Sequence, residues 1–82
     1  MVVIAETKIP AKSGTVAGAV VLRKRDKGGG AYEYVTHFRR DDDGDYAWGN
    51  YFTVWNDIGP LRAAAIFAEA AKDYADRVAT YL

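Results

Sequence analysis

The 82-residue chain predicts an α+β domain: a four-stranded antiparallel sheet followed by one C-terminal helix, ββββα, with the helix packed on one face. Three observations lead there. β-Branched and aromatic residues come in short runs bounded by glycine, proline and aspartate clusters. Two of those boundaries, Gly28-Gly29 and Asp43-Gly44, have the composition of tight hairpin turns. The last third of the chain then repeats apolar residues every three or four positions, the period of an amphipathic helix. A chain of this length makes a single domain over 1–82.

The first strand is Val2 to Ile9, β-branched and partly alternating, and Pro10-Ala11-Lys12-Ser13-Gly14 ends it with turn chemistry. The second, Thr15 to Arg25, carries Val16, Val20, Val21 and Leu22 and runs into Lys27-Gly28-Gly29-Gly30, whose glycines accept the positive φ of a hairpin turn. Ala31 to Arg40 is the third strand. An acidic turn, Asp41-Asp42-Asp43-Gly44-Asp45, leads into the fourth, Tyr46 to Trp55. Asp57 is the expected helix cap and Pro60 a first-turn residue, where its missing N–H costs nothing. The helix should reach about Tyr81 and bury Leu61, Ala64, Ala68, Ala71, Ala75, Val78 and Leu82, widened by Phe67 and Tyr74. Arg62, Glu69, Lys72, Asp73, Asp76 and Thr80 fall on the polar side, with Ile66 an isolated apolar residue among them.

If Gly28-Gly29 and Asp43-Gly44 are the central pairs of two-residue turns, counting fixes the register: Leu22 opposite Val35, and Val35 opposite Phe52. The helix then covers Val20, Leu22, Val35, Phe52 and Val54. The opposite face collects Tyr32, Tyr34, Phe38, Tyr51 and Trp55, with Arg23, Arg25 and Arg40 among them and Thr36 and Thr53 between. With no chain left to cover it, such a patch signals an interaction site more than a structural ladder, and Tyr, Trp and Arg are the residue types that dominate interface energetics. These residues, with Asp42 and Asp43 at the acidic turn, form the expected partner-binding set.

Composition narrows the partner. Eleven basic residues balance eleven acidic ones, so no net field draws the molecule to phosphate backbones or anionic membranes. There is no cysteine, hence no disulfide framework or thiolate metal site. The N-terminus lacks a basic region and a long apolar run, and no segment approaches the roughly 20 apolar residues of a membrane span. The expectation is a cytoplasmic protein that meets no membrane.

The motifs that would carry chemistry fail one by one. The aspartates of the turn do not make an EF-hand, since the sixth and twelfth positions from Asp41 are Tyr46 and Phe52 instead of Gly and Glu. His37 is the only histidine and Ser13 the only serine, and no nucleophile elbow surrounds Ser13. His37, beside Val35, reads as a packed histidine on the helix side. Lys27-Gly28-Gly29-Gly30 lacks the order of a phosphate loop and enters a strand. No catalytic, metal or cofactor site is predicted.

Asp45-Tyr46-Ala47-Trp48-Gly49-Asn50-Tyr51-Phe52 followed by Ala71-Lys72-Asp73-Tyr74-Ala75-Asp76-Arg77-Val78 resembles short phage and mobile-element proteins, in which a glycine and aromatic hairpin precedes a helix with a D-[YF]-x-x-R-like string. Some proteins of that kind are anti-CRISPRs or other inhibitors of host defence. The resemblance covers roughly the C-terminal half and implies a compact blocking protein.

The expected function is therefore a non-enzymatic protein-binding module, an inhibitor in the specific form the resemblance implies, acting on a host protein or nucleoprotein complex. Two further partners are open to the same face. One is single-stranded nucleic acid, with arginines on phosphates and tyrosines stacking bases; the other is a second copy of the chain.

Overall fold

The computed structural model describes residues 1–81 and has the ββββα order. Strands β1 (Val2–Ile9), β2 (Gly18–Gly28), β3 (Ala31–Arg40) and β4 (Asn50–Val54) form one open antiparallel sheet in sequence order, and α1 (Pro60–Thr80) lies across it. The molecule is elongated, 46 × 22 × 16 Å. Leu82, expected on the helix's buried face, lies outside the described residues.

Both hairpins differ from the expected geometry, and the net effect of each is to leave β3 one residue out of the expected register. Gly28, Gly29 and Gly30 all take positive φ, and the turn pair is Gly29-Gly30 with Gly28 opposite Ala31. The left-handed Gly28, whose N–H donates to Asp26 Oδ1 at 2.9 Å, closes a bulge that leaves Lys27 unpaired and sets Asp26 opposite Tyr32. Leu22 consequently faces Thr36 and Arg23 faces Val35. At the second hairpin the chain turns over Asp41–Gly44, closed by bonds from Arg40 N to Asp45 O and from Gly44 N to Arg40 O, both 2.9 Å. Pairing continues through Arg39 and Tyr46, slips at Trp48-Gly49, and resumes with Thr36 opposite Asn50 and Tyr34 opposite Phe52. The fourth strand thus begins at Asn50, not Tyr46.

Because strand side chains alternate, a one-residue slip carries each residue of β3 to the other face. Tyr34 is buried under the helix in a cluster with Leu22, Val54, Ile66 and Ala70, against which Tyr32 and Phe52 pack. Thr36 is fully buried and bonded to the helix, and Phe38 stacks on Tyr81 at 5.1 Å. Tyr32, Tyr34, Thr36 and Phe38 therefore do not belong to the uncovered face, and Val35 and His37 do. Val20, Leu22, Phe52 and Val54 remain on the helix side.

The helix is rotated from the expected setting. Ile66 and Ala70 are its buried residues, Ala63 and Tyr74 flank them, and Leu61 is 89% exposed. A stripe drawn through alanines buries little apolar area, whereas Ile66 fills the space against Leu22, Tyr34 and Val54 while Ala70 allows close approach. Polar bonds hold the same rotation. Thr36 Oγ1 donates to Asp73 Oδ2, Asn50 Nδ2 donates to Asp73 Oδ1 at 2.9 Å, and Arg77 Nε reaches Thr36 Oγ1 at 3.2 Å and Asp73 Oδ2 at 3.3 Å. Burial pushes the Asp73 carboxyl up, but these donors outweigh it and hold it below the ordinary carboxylate range. The expected cap is absent: Gly59, at φ 82°, occupies the N-cap with no side-chain bond, and Pro60 begins the helix.

Removing the Asp73 carboxylate strands a buried hydroxyl and a partly buried guanidinium. Asp73→Ala is expected to cost about 2–3 kcal/mol, read as the shift of the urea unfolding midpoint. Asp76→Ala, which breaks only the exposed pair with Lys72, should cost less than about 0.5 kcal/mol.

Candidate functional site

The face away from the helix is built on the cross-strand row Val3, Arg23, Val35 and Tyr51. Val35 is buried there, as is Val21. The cover comes from the long connection between β3 and β4, which was expected to be a tight turn. Gly49 passes so close to β3 that a Cβ would overlap the Thr36 carbonyl and press on the His37 side chain. Only glycine permits that approach, and it throws the preceding Tyr46-Ala47-Trp48 segment over the sheet. Ala47 N–H is anchored on Phe38 O at 2.8 Å.

The result is a cleft of about 350 Å³ with Arg23, Val35 and His37 at its floor and Tyr46, Trp48 and Tyr51 as walls. Tyr46 lies stacked on His37, centroids 4.1 Å apart, and the Arg23 guanidinium sits 4.2 Å from the same ring. Arg23 Nη1 is 3.4 Å from His37 Nε2. A guanidinium can only donate, so Nε2 carries the lone pair and the His37 proton is on Nδ1. Burial, then the charges of Arg23 and Arg77, lower the His37 pKa to about 4. Trp48 is 90% exposed and Tyr51 54%.

Of the residues singled out from sequence, Arg23, Arg25 and Tyr51 meet in this cleft. Arg25 is committed to Glu33, which also takes Lys27 at 3.6 Å. Tyr32, Tyr34 and Phe38 lie on the helix side. Trp55, though exposed, sits past the end of β4 beside Tyr32 and the start of the helix and does not line the cleft. Arg40, Asp42 and Asp43 make a separate hairpin tip, where Arg40 closes on Asp43 and approaches Asp42 at 3.9 Å and Asp45 at 3.8 Å. Tyr46, Trp48 and His37 were missed as members of this face; the glycine interrupting the aromatic run at Gly49 was the available signal, since an isolated glycine in a strand pattern marks a bulge.

No family model, curated protein or solved structure matches the chain. No helix among the described residues is long and apolar enough to cross a membrane.

Two outcomes follow from this geometry. The His37 ring resists protonation in the fold, so the unfolded chain gains its proton first as pH falls. Stability should be full above about pH 6.5, decline between 6.5 and about 4, and fall again below the ordinary carboxylate range as Asp73 is protonated. Proton NMR should place the His37 midpoint near 4, and Tyr46→Ala, which uncovers the ring, should move it toward 6.5. Gly49→Ala should cost about 2 kcal/mol or more through overpacking, measured by urea unfolding.

Proposed function

We propose that the protein is a non-enzymatic binding module whose working surface is the cleft face, and that its partner is a protein. The observation that carries this reading is the group Tyr46, Trp48 and Tyr51, exposed together around Arg23. Aromatic side chains supply large contact area with few rotors, and here Tyr46 is held by its stack on His37 while the Gly49 crossing sets the backbone that carries Trp48, so part of the ordering precedes binding. The only histidine supports the same reading, because Tyr46 lies over it and Arg23 occupies its lone pair. A blocking role of the kind implied by the resemblance to phage inhibitors is the specific form of this proposal.

The nucleic-acid alternative draws less support. Its expected stacking residues Tyr32, Tyr34 and Phe38 face the helix, while Arg25 and Arg40 are neutralised within the chain.

A photo-crosslinking residue in place of Trp48 should capture a protein partner in a bacterial lysate, whereas the same residue in place of Leu61, equally exposed on the helix, should not. Equal capture from both positions, or capture of nucleic acid alone, defeats the proposal. With the partner in hand, Trp48→Ala and Tyr51→Ala should each weaken binding by about 2 kcal/mol at an unchanged unfolding midpoint.

A further inference from the structure

From the charge pairing in this cleft we infer that it recognises a single carboxylate, presented by an acidic side chain of the partner protein beside an apolar neighbour; the inference rests on the reading above that this face binds protein.

Five of the six arginines have a carboxylate within salt-bridge distance: Arg25 with Glu33, Arg39 with Glu6, Arg40 with Asp43, Arg62 with Glu69 and Arg77 with Asp73. Arg23 is the exception among the described residues. It is also half-buried on the sheet, where a guanidinium has lost part of its hydration and gains most from a counter-ion. Its only side-chain partners are the neutral His37 Nε2 and the Tyr46 ring. Both fix the planar group without cancelling its charge, and they leave the remaining N–H donors of the fork for a ligand.

The occupant follows from charge and surface together. One uncompensated cation matches one anionic group; a nucleic acid held by a single phosphate contact would gain little, since its affinity grows with the number of phosphates neutralised. The walls are the apolar faces of Trp48 and Tyr51 with Val35 beneath, which suits an aliphatic or aromatic side chain next to the acid. A protein segment offers both groups side by side.

The test is a selection from a random dodecapeptide library displayed on phage, run on the whole protein and repeated on Trp48→Ala. The expected consensus holds Asp or Glu adjacent to an apolar residue and is lost on Trp48→Ala. In the best peptide, exchanging that acid for its amide should weaken binding to the wild-type protein about tenfold, a comparison that needs no change in the protein itself. On Arg23→Gln, checked for a cooperative unfolding transition, the acid and amide peptides should bind within about twofold of each other. Peptides selected without an acid, or with an acid whose amide binds equally well, overturn the carboxylate inference and leave the protein-binding reading standing. An empty selection, with binding of a twelve-residue oligothymidylate that weakens more than about tenfold between 50 and 200 mM salt, overturns both.

Discussion

The arrangement of this molecule depends on the setting of β3, and that setting is fixed at Thr36. Its hydroxyl is bonded to Asp73 on the helix side, its strand neighbour Asn50 bonds the same carboxylate, and its carbonyl is where Gly49 passes without room for a side chain. A slip of one position would put the hydroxyl on the opposite face, take the Thr36 donor from the Asp73 carboxylate, and press a different residue against the crossing. Strand pairing alone discriminates poorly between neighbouring registers when both faces carry aromatic and β-branched residues, as they do here. The polar contacts supply the discrimination that apolar patterning lacks.

The sheet, its strand order and its terminal helix were legible because they follow from the period of the apolar residues and from turn-forming clusters. Three consecutive glycines marked a hairpin, yet each of them accepts positive φ, so composition could not say which pair would be central; Gly28 was used for a bulge instead. Asp43-Gly44 suggested a two-residue turn, but Asp43 accepts from the Asp45 N–H at 2.9 Å and pairs with Arg40, which stabilises a longer loop. That loop displaces the pairing by two positions and the slip at Trp48-Gly49 takes one back, so β3 is one position out against both neighbours and its faces are reversed, while Val20, Leu22, Phe52 and Val54 stay where they were expected. Arg23, Arg25 and Tyr51 were legible for the same reason: they sit on strands whose facing did not change. Tyr46, Trp48 and His37 were hidden because their position depends on the bulge and on the reversed strand.

The helix shows a related limit of periodicity. Alanines at positions 64, 68, 71 and 75 align with Leu61 and Val78 into a continuous apolar stripe, but alanine contributes little area to burial. One isoleucine placed against Leu22, Tyr34 and Val54, with Tyr74 bonded to Thr7 and Asp73 bonded to the sheet, outweighs the whole stripe. Ile66 and Asp73, which read as part of the polar side, therefore face the sheet, and Leu61, Ala64, Ala68 and Ala75 are exposed.

Charge is settled pair by pair in this protein. Equal numbers of acids and bases cancel the long-range field, and most of the cations have a local partner, so the electrostatics that remain are short-ranged. In that setting the closed His37–Tyr46–Arg23 group has a physical consequence for the face around it. Keeping His37 neutral avoids a second cation beside Arg23, and the stacked ring keeps water from one side of both groups. The guanidinium is consequently held by contacts that leave its charge intact, next to a Tyr46 ring fixed by its stack on His37. A surface fixed in this way loses little conformational freedom when it is covered.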